Sequence, residues 1–424
     1  MDHIDFLIQS LKGKDDSARK PIIAELIQIG SSAVEPLIKV MKDINFEGRK
    51  QVIYALGRIR DPRAVEPLID ELNANFDPRR PVEIISALGL IGDPRAVEPL
   101  LNALREGRAY PNDVRVAISE IGGSKTVEYL LKSLDAKSLE VRETVVEILA
   151  SIGGSRAVAP LIHILQTDHY KVRIATASAL GDINDARAIE PLINALKDDN
   201  ERFVTAVINA LGKLKDPRAV EPLFQLLTTT IAPTDYVVAD AARALGEIGD
   251  LNIVEPLINL LETRENEYAI IALGKLKDLR AVEPLINSLR SPNEGVRKNA
   301  IQALGEIEDH RAVEPLINAL QHEEETIRSY IVKALGRISD PRAVEPLIHT
   351  IKNDRSTVSE DAIYALSKID DPRVVDGLIQ ALEREDLSIL AISSNLAKTG
   401  DSRAIEPLIS ILEMNYLRII IGIF

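Results

Sequence analysis

One stretch, Asp61-Pro62-Arg63-Ala64-Val65-Glu66-Pro67-Leu68-Ile69, constrains this chain more than any other, because close copies of it recur along nearly the whole length. Near-identical copies start at Asp93, Asp216 and Asp340, and edited ones at Asp185, Asp278, Asp309, Asp371 and Asp401. The proline of Glu-Pro-Leu marks each unit at Pro36, Pro67, Pro99, Pro160, Pro191, Pro222, Pro256, Pro284, Pro315, Pro346 and Pro407, with Phe6, Tyr129 and Gly377 in the same slot. Consecutive markers such as Pro315 and Pro346 stand 31 residues apart, a period that belongs to stacked helix pairs. A chain of 424 residues would otherwise suggest two or three separate cores. The repetition replaces that expectation with a single array over residues 1–424.

Within the unit from Asp309, Val313, Leu316, Ile317 and Leu320 form the stripe of a short helix A. A polar turn at Gln321 to Glu325 follows, and Ile327, Ile331, Ala334, Leu335 and Ile338 form the stripe of helix B. Asp309 is placed to cap the opening turn. Pro315 is harmless in a first helical turn, but a start at His310 would put it in the second turn and kink the helix. The triplet Ala-Leu-Gly recurs in helix B at Ala55, Ala87, Ala179, Ala210, Ala244, Ala272, Ala303 and Ala334, where a small residue lets neighbouring helices approach. Gly92, Gly249 and Gly400 stand where a left-handed cap would close a B helix.

One such pair buries too little to stand alone, since each buried Leu, Ile or Val gives roughly 1.5–3 kcal/mol against the ordering of its residues. The expected fold is therefore all-α: a right-handed α-solenoid superhelix of about 14 stacked helix pairs, each of roughly 31 residues. Irregular spacing near 105–121 shortens one B helix. Between 228 and 267 one unit gains three residues and the next loses three, which marks either a kink or projecting loop or a neutral length change. The tail 414–424 departs from the pattern and reads as a cap or a truncated repeat.

Composition narrows the chemistry. With no cysteine there is no disulfide framework, thiolate zinc site or cysteine nucleophile. A formal charge of -14 argues against a surface adapted throughout to phosphate backbones. The acidic N-terminal residues lack a secretory pattern, and no stretch reads as the roughly 20 apolar residues that cross a bilayer. A cytoplasmic protein without a membrane contact is expected.

The Asp-Pro-Arg-Ala-Val-Glu-Pro-Leu-Ile motif, followed by a polar turn, Val-Arg and Ala-Leu-Gly-x-Ile-Gly, resembles HEAT-like repeats of the short bilin-lyase type. The resemblance covers about Asp2 to Glu413, and its motif is a packing signature that specifies fold more than function. It implies that B helices line the concave face and A helices the convex one. It also implies a ladder in which an acidic residue of the A–B turn pairs with the arginine that begins helix B. Arg19, Arg49, Arg142, Arg173, Arg297 and Arg328 hold that slot, which is lost at Val204, Val238 and Asn266.

Enzymatic readings find little to rest on. Some HEAT-like hydroxylases hold two irons through several His-Glu pairs, whereas this chain has one, His322-Glu323. Glycine-rich phosphate loops and serine–histidine–acid arrangements are not visible, and no catalytic, cofactor-binding or metal-binding residue is assigned. The reading is a non-enzymatic protein–protein interaction scaffold that binds a protein or peptide along the concave B-helix face. Handling of a bilin or other tetrapyrrole, and nucleic-acid binding, are the alternatives; 4% aromatics and no tryptophan weigh against the second.

Two B-helix columns vary most among the repeats. The column four residues before the alanine of Ala-Leu-Gly includes Tyr268 and Tyr330, and the one just before that alanine includes Tyr54 and Tyr364. These tyrosines are candidates to project into a partner groove, packing over a neighbouring helix being the competing reading. Just after the glycine, Lys213, Lys275, Arg337, Lys368 and Lys398 are candidates for a basic strip facing an acidic partner.

Overall fold

In the computed structural model the described residues are 3–12, 15–43, 48–74, 81–228, 234–264, 266–354, 356–384 and 386–410. The tail 414–424 and most of the 228–234 insertion lie outside them. The described residues are helical with turns and contain no strand, an all-α solenoid of helix pairs. The chain divides into two compact units, Met1–Leu214 and Lys215–Phe424.

Each pair is built the same way. The Asp309 carboxylate accepts from the Arg311 N–H at 2.8 Å and caps a single 3-10 turn, His310–Ala312. The α-helix proper then begins at Val313 and runs to Leu320. Pro315 thus stands in the first α-turn, where its missing N–H costs no intrahelical bond. Helix B, Glu325–Ile338, buries Ile327, Ile331, Val332, Ala334, Leu335 and Ile338. Its end is a left-handed residue, Ser339 at φ 57; Gly92, Gly249 and Gly400 serve the same purpose at φ 79, 77 and 65, as their positions suggested.

The first unit sets B helices Arg49–Ile59, Pro81–Ile91, Pro111–Ile121, Leu139–Ile152, Tyr170–Ile183 and Glu201–Leu214 side by side. The second does the same with Asp235–Ile248, Glu267–Leu276, Glu294–Ile307, Glu325–Ile338, Ser356–Leu366 and Ile389–Thr399. The Ala-Leu-Gly triplet is the seat between neighbours. A Cβ added to Gly57, Gly89, Gly181, Gly274, Gly305 or Gly336 would lie 2.7 to 2.9 Å from the Cα of an alanine on the next B helix, Ala87, Ala117, Ala210, Ala303, Ala334 or Ala365. Only a bare backbone fits that close an approach.

One seat is displaced. Gly246 faces Lys275 and not Ala272, a slip of three residues, or about 4.5 Å along the helix axis at 1.5 Å per residue. The deletion ahead of Pro284 explains it, because helix Glu267–Leu276 has 10 residues where its predecessor Asp235–Ile248 has 14. The irregular spacing therefore appears in the structure as a changed register between two B helices. Near residue 105 the expected shortening is present as helix Pro111–Ile121, and Arg108 in the lengthened turn reaches the Leu72 carbonyl of the preceding repeat at 2.7 Å.

Two arginine ladders tie the pairs together. The first is the one the resemblance implied: Arg142 reaches Asp168 at 2.7 Å, Arg173 reaches Asp198 at 2.7 Å, and Arg297 reaches Glu323 at 2.8 Å. Arg49 with Glu71 and Arg328 with Asp354 continue it. The second lies at the opposite end of helix A and was not foreseen. The arginine of Asp-x-Arg grips its own cap aspartate and donates to a carbonyl one repeat back, as in Arg95 to Pro62 at 3.2 Å, Arg342 to His310 at 2.9 Å and Arg403 to Pro372 at 2.7 Å. The glutamate of Glu-Pro adds to it where close enough, Glu66 standing 3.1 Å from Arg95.

The run Ser17–Met41 corrects the expectation about apolar stretches. At 25 residues and mean hydropathy 1.2 it is long and apolar enough to cross a membrane by length and composition. Gly30, at φ 72 and ψ -134, breaks it into helices Asp16–Ile29 and Val34–Met41. Ile22, Ile23, Leu26, Val34, Leu37 and Met41 are buried in the stack, which accounts for the hydropathy by packing between helices.

Candidate partner-binding face

The two variable columns of helix B prove physically different. Every described member of the column holding Tyr268 and Tyr330 is buried or half-buried, Thr144 at 2% and Asp240 at 6% exposure being the most buried. This column is the joint between neighbouring B helices. Tyr268 is hydrogen-bonded to Asp235 of the preceding B helix; burial, then that carboxylate, push its phenol up to about 12. Tyr330 lies half-buried with the Lys298 ammonium 4.8 Å from its ring centroid.

The column just before Ala-Leu-Gly faces outward, with Tyr54 at 49% and Tyr364 at 57% exposure. Tyr54 belongs to the first unit. So does Lys213, which pairs with Asp182 at 2.7 Å. In the second unit Lys275 pairs with Glu306 at 3.3 Å. The proposed basic strip is thus neutralised at two of its five positions.

Three of the nine candidates converge. Arg337, Tyr364 and Lys368 line one cleft of about 470 Å³ together with Lys333, Gly336, Ser339 and Ala365. Its geometry follows from the seat: Gly336 and Ala365 bring the two B helices together, and the left-handed Ser339 donates its hydroxyl to the Lys368 carbonyl at 2.6 Å. The Lys368 ammonium sits 4.9 Å from the Tyr364 centroid, a cation–π contact. Lys333 is held by Asp361 at 2.9 Å. Among the described residues no carboxylate lies within 4.0 Å of Arg337, Lys368 or Lys398. Lys398 shares with Lys368 an adjoining cleft of about 360 Å³. Sequence reading missed Lys333 and Ser339, although Lys333 occupies the same outward column as Tyr364.

The remaining chemistry is structural. Among the described residues no group of three or more His, Asp or Glu side chains could hold a metal ion. Glu323 of the His322-Glu323 pair serves the arginine ladder. The cap aspartates of the Asp-x-Arg turns are held below the usual carboxylate range, first by the arginine side chain two residues on and then by its N–H; Asp185 is brought to about 2. A carboxyl with a depressed folded-state pKa contributes fully above its unfolded value and loses that contribution as pH falls through the folded one. Thermal midpoints should therefore stay flat from pH 7 to about 4.5 and fall steeply below about 4. A steady decline between pH 7 and 5 would contradict this account.

Comparison with known proteins agrees with the geometry. The family profile for HEAT repeats matches residues 4–84, 114–176, 159–234, 265–328 and 313–394, and that for the PBS lyase HEAT-like repeat matches 82–106 and 237–263. A search of curated proteins found no match. Among solved structures, yeast importin-beta (Kap95p) is 14% identical with a TM-score of 0.63, covering 98% of this chain and 70% of that one. A Kap95:Nup1 complex gives a TM-score of 0.65 at 14% identity, covering 98% and 69%. The CpcE and CpcF phycocyanin lyase of Nostoc is 20% identical over 66% of this chain and 96% of that one, at a TM-score of 0.27 too low to carry an argument. With HEAT-repeat matches over most of its length, and with capped helix pairs seated glycine against alanine, the chain belongs to the HEAT-repeat family.

Proposed function

We propose that the chain is a non-enzymatic scaffold that holds a protein or peptide partner on its B-helix face, with the cleft around Tyr364 as an anchor point. The observation that carries this reading is the pairing of an aromatic ring at 57% exposure with cations that have no acid of their own among the described residues. Tyrosine and arginine dominate the energetic centres of protein interfaces because they offer rigid, amphipathic contact area. Support also comes from the solenoid fold itself, whose solved relatives include complexes of Kap95 with Nup1 and with RanGDP.

The test is a photo-crosslinking residue placed at Lys333, which lines the same cleft as Tyr364, and, separately, at Glu314 on the exposed side of an A helix, each exposed to extract of the source cell. Crosslinks to protein are expected from position 333, persisting in high salt and falling about tenfold when Tyr364 is changed to Ala. Crosslinks from position 314 alone would overturn the choice of face. Colour on mixing with a tetrapyrrole, or a steeply salt-dependent shift of a labelled duplex, would overturn the scaffold reading in favour of the alternatives.

A further inference from the structure

We propose that the B-helix face of the second unit reads an acidic peptide in an extended, polyproline-like conformation, with a carboxylate at every third residue. This rests on the scaffold reading and narrows its partner. Arg337, Lys368 and Lys398 hold one position in three successive repeats, 31 and 30 residues apart. The first two line one cleft and the last two line the next, so the cations run in single file across neighbouring B helices.

The spacing selects the ligand. Packed helices lie about 8–10 Å apart. A polyproline II segment makes one turn every three residues at about 3.1 Å per residue, a repeat of about 9.3 Å that sets positions i, i+3 and i+6 on one side. A β-strand alternates with period two and cannot keep every third side chain on one face. Between the cations Arg337 and Lys368, the Tyr364 ring beside Gly336 and Ala365 offers an apolar wall of the kind that takes proline rings.

Charge favours spaced carboxylates over a continuous polyphosphate. The chain carries -14 overall, and acids stand beside the strip. Asp361 is taken by Lys333, Asp371 by Arg373 at 2.9 Å and Asp401 by Arg403 at 2.8 Å, while Asp370 lines the second cleft with no arginine of its own among the described residues. Such a surface attracts isolated negative charges at the cations and repels a strand charged at every unit.

The experiment compares two fluorescent peptides of identical composition on the full chain by anisotropy: Glu-Pro-Pro repeated four times, and the same residues with the four glutamates contiguous. The spaced peptide is expected to bind at least about tenfold more tightly. R337E, K368E and K398E should each weaken it about tenfold, Y364A likewise, and K352E on a neighbouring A helix should leave it unchanged. Equal binding of the two peptides, indifference to the three charge reversals, or tighter binding of a single-stranded oligonucleotide would each overturn the proposal. If neither peptide binds while position 333 still crosslinks a cellular protein in a Tyr364-dependent way, the acidic code fails and the scaffold stands. Loss of both sinks the scaffold reading as well.

Discussion

Gly305→Ala is expected to destabilise its repeat by about 2 kcal/mol, although alanine in a helix interior is ordinarily better than glycine by about 1 kcal/mol. The added methyl would stand 2.9 Å from both Cα and Cβ of Ala334. Cα belongs to the backbone of a packed helix and cannot swing aside, so the two B helices must separate and lose contact along their length. Gly305→Val should cost about 3 kcal/mol or more by the same reasoning. Gly295, near the start of the same helix Glu294–Ile307, is the internal control: a methyl there would meet the Glu267 carboxylate at 2.8 Å, the far end of a flexible side chain. Gly295→Ala is expected to be neutral or stabilising. Because a repeat array need not unfold in one step, the reading is hydrogen exchange in helices Glu294–Ile307 and Glu325–Ile338. Undiminished protection in Gly305→Ala would remove the seat from the account of this fold.

The second large effect is expected at the ladder. Arg142 donates two hydrogen bonds to Asp168, both at 2.7 Å, and their side chains are 16% and 8% exposed. Burial pushes the Asp168 carboxyl up, but Arg142 and the His169 N–H outweigh it, so the group sits below its usual value. Arg142→Ala leaves a nearly buried carboxylate that still accepts from the His169 N–H at 2.6 Å but has lost its fork of two donors. About 3 kcal/mol should be lost at pH 7, and Arg142→Lys should not restore it, since an ammonium lacks the two-pronged fork. The double change Arg142→Met with Asp168→Leu should recover much of the loss. Acidification separates this from simple loss of packing. Burial then acts on Asp168 without its arginine, so its carboxyl is expected to move up from its wild-type position, and the gap between wild type and Arg142→Ala should narrow as pH falls from 6 towards 4. A gap that stays constant over that range would point to packing alone.

Much of the fold was written in the period. Asp309 as a cap, the stripe of Ile327, Ile331 and Leu335, and the small Ala-Leu-Gly seat all depend on local spacing, which a sequence displays directly. The arginine of Asp-x-Arg escaped because its second partner is a carbonyl some thirty residues back, as Ser31 is for Arg63, and only the stacking of repeats brings it near. The tyrosines divided for a related reason. Tyr330 and Tyr364 both stand in variable columns, and variability alone does not separate a residue packed against the adjacent helix from one that faces outward. Exposure, supplied by packing, tells Tyr364 from Tyr330. The apolar character of Ser17–Met41 is spread over two helices that meet at Gly30 and is interspersed with Arg19, Lys20, Glu25 and Glu35, so it emerges only over a long window.

The glycine seats carry a consequence for how such a chain can change its length. Every joint of that type asks the same question of its neighbour and accepts the same answer, so a whole unit can be copied or excised there and the cut ends will still fit. Between Gly246 and Lys275 the thread is cut to another pitch. A unit transplanted across that place would meet a side chain where it expects an alanine, so that joint does not exchange with the glycine-seated ones.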